Sequence, residues 1–128
     1  KVTPVDAELS RLGGELALLA GLPAPLMVAG VCLAVTFLTE VTSNTATTAL
    51  ILPVMAALAK ATGTDPLLLM IPATLSASCA FMLPVATAPN AIVVGTGLVD
   101  PSDMARAGFW LNLVGVLPIT AAVLLLVR

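Results

Sequence analysis

The protein has 128 residues, of which 59% are hydrophobic, 9% charged and 3% aromatic, and its mean hydropathy is +1.13. Soluble domains carry about 25% charged residues, so this composition excludes an ordinary soluble domain and indicates a membrane protein. The net charge of −2 and the absence of histidine exclude a basic nucleic-acid surface, a polybasic membrane patch and a histidine-containing zinc site.

Charged residues fall at a few positions and leave four long uncharged runs. The runs contain 24 residues after Glu15, 19 after Glu40, 34 after Asp65 and 21 after Arg106. Because about 20 apolar residues span the hydrocarbon core of a bilayer, each run is long enough to enter a membrane.

The chain begins with Lys1 and has no secretory signal-peptide pattern. Cys32 and Cys79 lie inside apolar runs, 47 positions apart, and we interpret them as packing residues rather than as a disulfide or metal ligands. We expect a fragment of a longer, multi-pass membrane protein.

Residues 1–22 are predicted to form an amphipathic lead-in segment at the membrane interface. Its charged residues alternate with four leucines that recur at the spacing of one helix face, and these are Leu9, Leu12, Leu16 and Leu19. Pro23 and Pro25 then mark the start of a new helix, because proline fits best in a first helical turn.

Residues 23–62 are predicted to form a re-entrant helical hairpin with a polar tip at 42–47. The arms, about Ala24–Thr42 and Ala46–Ala61, flank a stretch of mostly hydroxyl, amide and carboxyl side chains with no charge cluster to draw it into water. Non-helical backbone at membrane depth persists only where it lines a cavity or is buried in protein.

Residues 66–99 are predicted to form one broken transmembrane helix, and residues 102–128 a last transmembrane helix at about Ser102–Val127. The broken helix has predicted halves at about Leu67–Leu83 and Asn90–Val99, because Pro84 and Pro89 remove amide donors between them.

The two polar breaks, 43–45 and 86–90, lie about 40 residues apart in apolar elements. Interrupted membrane helices of this kind form the sites of secondary transporters. Helix N-terminal amides favour an anion such as a carboxylate, and carbonyls freed near Thr42 and Ala86 favour sodium. Neither break contains Arg or Lys, so helix dipoles and bound cations would offset the substrate's charge.

Structural explanations remain open for these residues. Ser and Thr also pack between membrane helices, and prolines also kink ordinary spans. Glu40 is a functional candidate as an isolated acid in an apolar region, but pairing with a part of the protein outside this chain or facing an aqueous cavity would also explain it. We interpret Met55, Met70 and Met82 as packing residues.

Two stretches, Phe37–Thr48 and Leu75–Val93, resemble the carboxy-terminal half of the divalent anion:sodium symporter family. Its members are sodium-coupled di- and tricarboxylate and sulfate transporters, and the likeness covers essentially the whole chain. The implied fold is an all-α integral membrane fragment of an inverted-repeat elevator transporter. It consists of a re-entrant hairpin, one discontinuous transmembrane helix and a final transmembrane helix.

The resemblance also implies binding residues and partners. The implied substrate ligands are Ser43, Asn44, Thr45 and Thr87, and the implied sodium ligands are Thr39, Thr42, Asn44 and Ala86. The family usually has two prolines after the threonine, whereas this chain has Ala88 and then Pro89. The implied partners are a missing amino-terminal repeat, the lipid bilayer and a second copy in a homodimer.

The predicted function is sodium-coupled secondary transport of succinate-like di- or tricarboxylates across the cell membrane, with sodium as coupling ion and no other cofactor. Alternatives are a sodium-independent dicarboxylate exchanger, a citrate–metal, sulfate or arsenite carrier, or a non-transporting membrane subunit. An enzyme is not expected, since the chain has no histidine, nucleophile–base pair or metal cluster.

Overall fold

The computed structural model describes residues 2–16 and 21–127, and over these ranges it is helical with no strand. Residues 1, 17–20 and 128 lie outside the described part, and with them Leu19 and part of the predicted lead-in segment. The described helices are α1 (Pro4–Leu16), α2 (Ala24–Thr39), α3 (Asn44–Thr62), α4 (Pro66–Ser76), α5 (Ala88–Gly95) and α6 (Pro101–Leu126).

Helix α1 begins with a reciprocal cap between Thr3 and Asp6. The Thr3 amide and hydroxyl donate to Asp6 Oδ2 at 3.0 and 2.6 Å, and the Asp6 amide donates to Thr3 Oγ1 at 3.1 Å. These bonds hold the pKa of Asp6 below its usual value. The polar face of α1 is exposed and carries an Arg11–Glu15 ion pair at 3.1 Å.

The connection between α2 and α3 is shifted from its predicted position. Helix α2 ends at Thr39, not near Thr42, and α3 begins at Asn44, not near Ala46. The hydroxyl of Thr42 bonds back to the Leu38 carbonyl at 2.7 Å, and Ser43 is extended and caps α3. Such local side-chain bonds compete with helical hydrogen bonding, so the tip is fixed by its own residues.

Helix α3 ends at Thr62 and is capped by Gly63, whose φ of 66° is in the left-handed region that glycine adopts without steric cost. The Thr64 amide then donates to the Ala59 carbonyl at 2.9 Å, and Asp65 caps α4 through a 2.9 Å bond from the Leu67 amide. The turn between α3 and α4 is therefore built from standard helix-capping chemistry.

The expected break after α4 is present but wider than predicted. Helix α4 ends at Ser76 rather than near Leu83, residues 77–87 are non-helical, and α5 covers Ala88–Gly95 rather than Asn90–Val99. The early end has a tertiary cause, because the amides of residues 81–83 donate to the Glu40 side chain instead of to carbonyls of their own helix.

Helices α3 and α6 are long and apolar enough to cross a membrane, with 19 and 26 residues. At 1.5 Å per residue α6 is roughly 39 Å long. Over the described residues, a fold that has helices and no strand, with two such helices, fits a membrane protein. Large apolar side chains remain exposed, for example Leu50 at 75% and Leu117 at 70%.

Helix α4 packs against α2, α3 and α6 and joins two apolar clusters. The first lies between α2, α3 and α4, and its buried members are Met27, Val35, Met55, Leu58, Ala59, Leu69, Ala73 and Ala77. The second joins α2 to α6 through Val28, Cys32, Val116 and Val123. The packing interpretation of Cys32 and Met55 is confirmed, and both cysteines are free thiols.

Candidate functional site

The first turn of α3 forms the polar tip predicted from the sequence. Ser43 Oγ accepts from the Ala46 amide at 3.4 Å, and the Ser43 carbonyl accepts from the Thr47 amide at 2.8 Å. The amides of Asn44 and Thr45 are first-turn donors with no acceptor inside the helix, and the positive end of the helix dipole lies at the same place. This end of α3 can therefore receive an anion.

Asn44 carries a buried side-chain oxygen, Oδ1, for which the described structure contains no hydrogen-bond partner. Asn44 and Thr45 line an open cavity of about 410 Å³. The cavity is also lined by Thr74 of α4 and by Ser78 of the non-helical segment, and both of these residues are exposed. A buried amide oxygen without a partner is costly, so it is a suitable ligand for a bound cation or donor.

Thr39 and Thr42 lie at the end of α2. Thr39 is fully buried and donates its hydroxyl to the Thr36 carbonyl at 2.9 Å. Thr42 donates to the Leu38 carbonyl at 2.7 Å and its oxygen lies 2.6 Å from Thr47 Oγ1. Because the Thr42 hydroxyl donates to Leu38, its oxygen accepts from the Thr47 hydroxyl, and the hydroxyls of Thr39 and Thr42 are thus both bonded within the chain.

Thr87 caps α5 in the second polar break. Its Oγ1 accepts from the Asn90 amide at 3.2 Å, and the Asn90 side-chain amide donates to the carbonyls of Ala80 and Leu83 at 2.9 and 3.0 Å. These bonds fold the non-helical segment into a compact loop in which Ala86 is half-buried.

Glu40 connects the two polar breaks. It is 3% exposed and is the one charged residue that is buried within the described ranges. Its carboxylate accepts from the Phe81, Met82 and Leu83 amides at 2.8 to 3.1 Å and from Asn112 Nδ2 at 2.7 Å. The partners of Glu40 therefore lie within this chain.

The close packing of α6 against the non-helical segment depends on Gly108. A Cβ atom at this position would overlap the Phe81 carbonyl and lie 2.6 Å from Met82 Cα. The absence of a side chain lets the two backbones approach and brings Asn112, one turn further along α6, to Glu40.

The structure groups the predicted site residues only in part. Asn44 and Thr45 share the cavity, whereas Ser43, Ala86 and Thr87 are not part of its lining. The residues that sequence reasoning missed are Thr74, Ser78, Asn90, Gly108 and Asn112. Asn112 had a usable signal, since an amide side chain inside a 21-residue uncharged run is expected to bond across helices.

The cavity at the tip has no charged lining residue. Within residues 2–16 and 21–127, no three His, Cys, Asp or Glu residues cluster in a way that would hold a metal ion. Oxygen ligands at the tip would therefore come from carbonyls, hydroxyls and the Asn44 amide, which suits a weakly held monovalent cation better than a transition metal.

The family signature of the sodium:sulfate symporter transmembrane region matches residues 11–126. The chain belongs to this family. The resemblance inferred from the two polar motifs is thus confirmed, and the protein is an integral protein of the cell membrane. The symporter family is a transporter family in which sodium is the coupling ion.

Relatives from bacteria and mammals match most of the chain. The sodium-dependent dicarboxylate transporter SdcS of Staphylococcus saprophyticus is 49% identical over 116 residues, which are 91% of this chain and 22% of that protein. Solute carrier family 13 member 2 is 52% identical over 112 residues in Rattus norvegicus and 51% in Homo sapiens, in each case 88% of this chain and 19% of the relative. The chain spans about a fifth of the length of these relatives.

Proposed function

We propose that this chain supplies the second-repeat half of the substrate and sodium site of a sodium-coupled dicarboxylate transporter. The observation that carries the proposal is the buried, unpartnered Oδ1 of Asn44 beside the open first-turn amides of α3. One position then presents an oxygen to a cation and amide donors to an anion, which is what coupled binding of sodium and a carboxylate requires.

The proposed substrate is a succinate-like di- or tricarboxylate. Its carboxylate would accept hydrogen bonds at the α3 tip from Ser43, Asn44 and Thr45, with Thr87 contributing from the start of α5. The SdcS relatives are named as sodium-dependent dicarboxylate transporters, which supports this substrate class. The exposure of Ser43 and Thr45 leaves them accessible to a ligand.

The proposed sodium site uses carbonyl oxygens of Thr39, Thr42 and Ala86 together with the Asn44 side chain. Because Asn44 serves both ligands, each ligand raises the affinity for the other by ordering the same side chain. This shared residue explains how a site without a cationic side chain would hold a dianion.

The proposed architecture follows the predicted divisions of the chain. Residues 1–22 lead into the membrane, 23–62 form a re-entrant hairpin, 66–99 form the broken helix and 102–128 the last span. Helix α2, with 16 residues, is short of a full span and ends at the polar tip, which supports a hairpin. A missing first repeat, a homodimer and an elevator motion of the site complete the proposal.

The test is ligand-dependent stabilisation of the full-length transporter, because a ligand that binds only the folded state raises its apparent melting temperature. Sodium plus succinate should stabilise the unaltered protein and the control Thr62→Ala, which removes a hydroxyl bonded within α3. Asn44→Ala should abolish the response to both ligands. Loss of the response to one ligand alone would refute the shared role, and no response in the unaltered protein would indicate a non-transporting subunit.

The same experiment also tests two alternatives, which are sulfate as the substrate and sodium-independent exchange. The family description names sulfate. Stabilisation by sodium plus sulfate but not by sodium plus succinate would show that the substrate is sulfate and not a dicarboxylate. Stabilisation by succinate that is equal in sodium and in potassium would indicate an exchanger.

A further inference from the structure

Glu40 is bound by donors from two other parts of the fold. Three consecutive backbone amides of the non-helical segment, at Phe81, Met82 and Leu83, converge on its two oxygens. Asn112 of α6 adds a side-chain donor at 2.7 Å. These donors are 41 or more positions from Glu40 in the sequence, so the contact is entirely tertiary.

The hydrogen bonds to Glu40 fill the acceptor positions of its carboxylate. A carboxylate offers about four acceptor positions, and the amide bonds with the Asn112 bond occupy them. A buried carboxylate without donors is strongly unfavourable, whereas hydrogen bonds to an ionised acceptor are about twice as strong as neutral ones. Glu40 therefore has little capacity left for sodium, and its charge holds the segment in place.

The bonds to Glu40 also explain why the helix is broken. The amides of residues 81–83 cannot donate to Glu40 and to helical carbonyls at once, so the segment stays unwound as long as the carboxylate holds it. The Asn90 side chain satisfies the carbonyls of Ala80 and Leu83. Side chains thus supply the hydrogen-bond partners of both the backbone amides and the backbone carbonyls of the break.

We infer that Glu40 is a positioning residue that preassembles the two halves of the binding site, an inference that rests on the proposed function. It follows directly on Thr39 and precedes the Ser43–Thr45 tip, and it fixes the segment that carries Ala86 and Thr87. Asn112 joins this arrangement to α6. Without the carboxylate, the two halves would have to be ordered each time that a ligand binds, and apparent affinity would fall.

The experiment uses the full-length transporter with Glu40→Gln, which keeps the side-chain size and removes the charge. The matched control is Glu8→Gln, whose carboxylate is exposed on α1. Hydrogen exchange should become about tenfold faster at the amides of residues 81–83 in Glu40→Gln and stay unchanged in the control. The KM for succinate and the half-saturating sodium concentration should both rise by about tenfold.

A role in global stability alone predicts a different kinetic result. It would lower the number of active transporters and hence the maximal rate, with both half-saturation values unchanged. Asn112→Ala supplies a milder variant if Glu40→Gln does not fold, because the three backbone amides keep their bonds to Glu40. It should shift KM and the sodium requirement in the same direction by a smaller factor.

Several results would overturn the inference. Unchanged exchange at residues 81–83 together with lost binding would make Glu40 a direct ligand. Faster exchange with unchanged affinities would show that the segment need not be held for binding. Absence of sodium-dependent uptake by the unaltered protein would instead refute the proposed function, and the exchange measurement would still report separately whether Glu40 holds the segment.

Discussion

Replacing Gly108 by alanine tests the close contact between α6 and the non-helical segment. The new Cβ would overlap the Phe81 carbonyl and lie 2.6 Å from Met82 Cα. Both are backbone atoms, so no change of rotamer relieves the overlap and one of the two segments must move. Overpacking costs about 1–3 kcal/mol, and the rigid neighbours favour the upper end of this range.

Gly115→Ala is the matched control in the same helix, because nothing lies within 4 Å of the added Cβ. Alanine is favoured over glycine within a helix by about 1 kcal/mol, and both variants receive this gain. We expect Gly108→Ala to lower the free energy of unfolding by about 2 kcal/mol and Gly115→Ala to raise it by about 1 kcal/mol.

The assay is thermal unfolding of the two full-length variants in the same detergent. A difference of about 3 kcal/mol corresponds to several degrees in the apparent melting temperature. Gly108→Ala should also weaken binding of sodium and succinate, since it displaces the segment that carries Ala86 and Thr87. A melting temperature of Gly108→Ala equal to or above that of Gly115→Ala would refute the close approach.

Two further substitutions compare a helix cap at the proposed binding site with a helix cap outside it. Thr87→Val removes the acceptor of the Asn90 amide, a cap worth about 1 kcal/mol, so the KM for succinate should rise about fivefold. Thr87→Ser should retain the cap and the unaltered KM. Equal uptake kinetics of the two variants would contradict the role of the hydroxyl. Asp65→Ala removes the cap of α4 and should lower the free energy of unfolding by about 1 kcal/mol without changing the KM for succinate. Asp65→Asn should preserve the stability. A changed KM in Asp65→Ala would show that the binding site depends on the cap of α4.

Local sequence chemistry allowed the polar tip to be predicted, and it also accounts for the end of α3. Ser43 caps α3 and Gly63 ends it, and both effects act within a few residues. The start of α2 beside Pro23 and Pro25 was predictable for the same reason. The residues at the tip and at the second break carried the resemblance to the symporter family, which the family signature confirms.

The ends of α2 and α4 could not be predicted as accurately, because tertiary contacts determine them. Propensity favours helix well beyond Ser76, but the bonds from residues 81–83 to Glu40 span more than 40 positions of sequence. Glu40 was recognised as unusual, and besides Asn112 its partners are the backbone amides of residues 81–83, which any residue supplies. No side-chain pattern could therefore identify them.

Sodium-driven succinate uptake into proteoliposomes tests the central claim most directly. The full-length transporter should accumulate succinate under an inward sodium gradient, and Asn44→Ala should abolish the accumulation. The 128-residue chain alone should give none, because it carries half of the proposed site. Sodium-dependent accumulation by the isolated chain, or undiminished uptake by Asn44→Ala, would contradict the account.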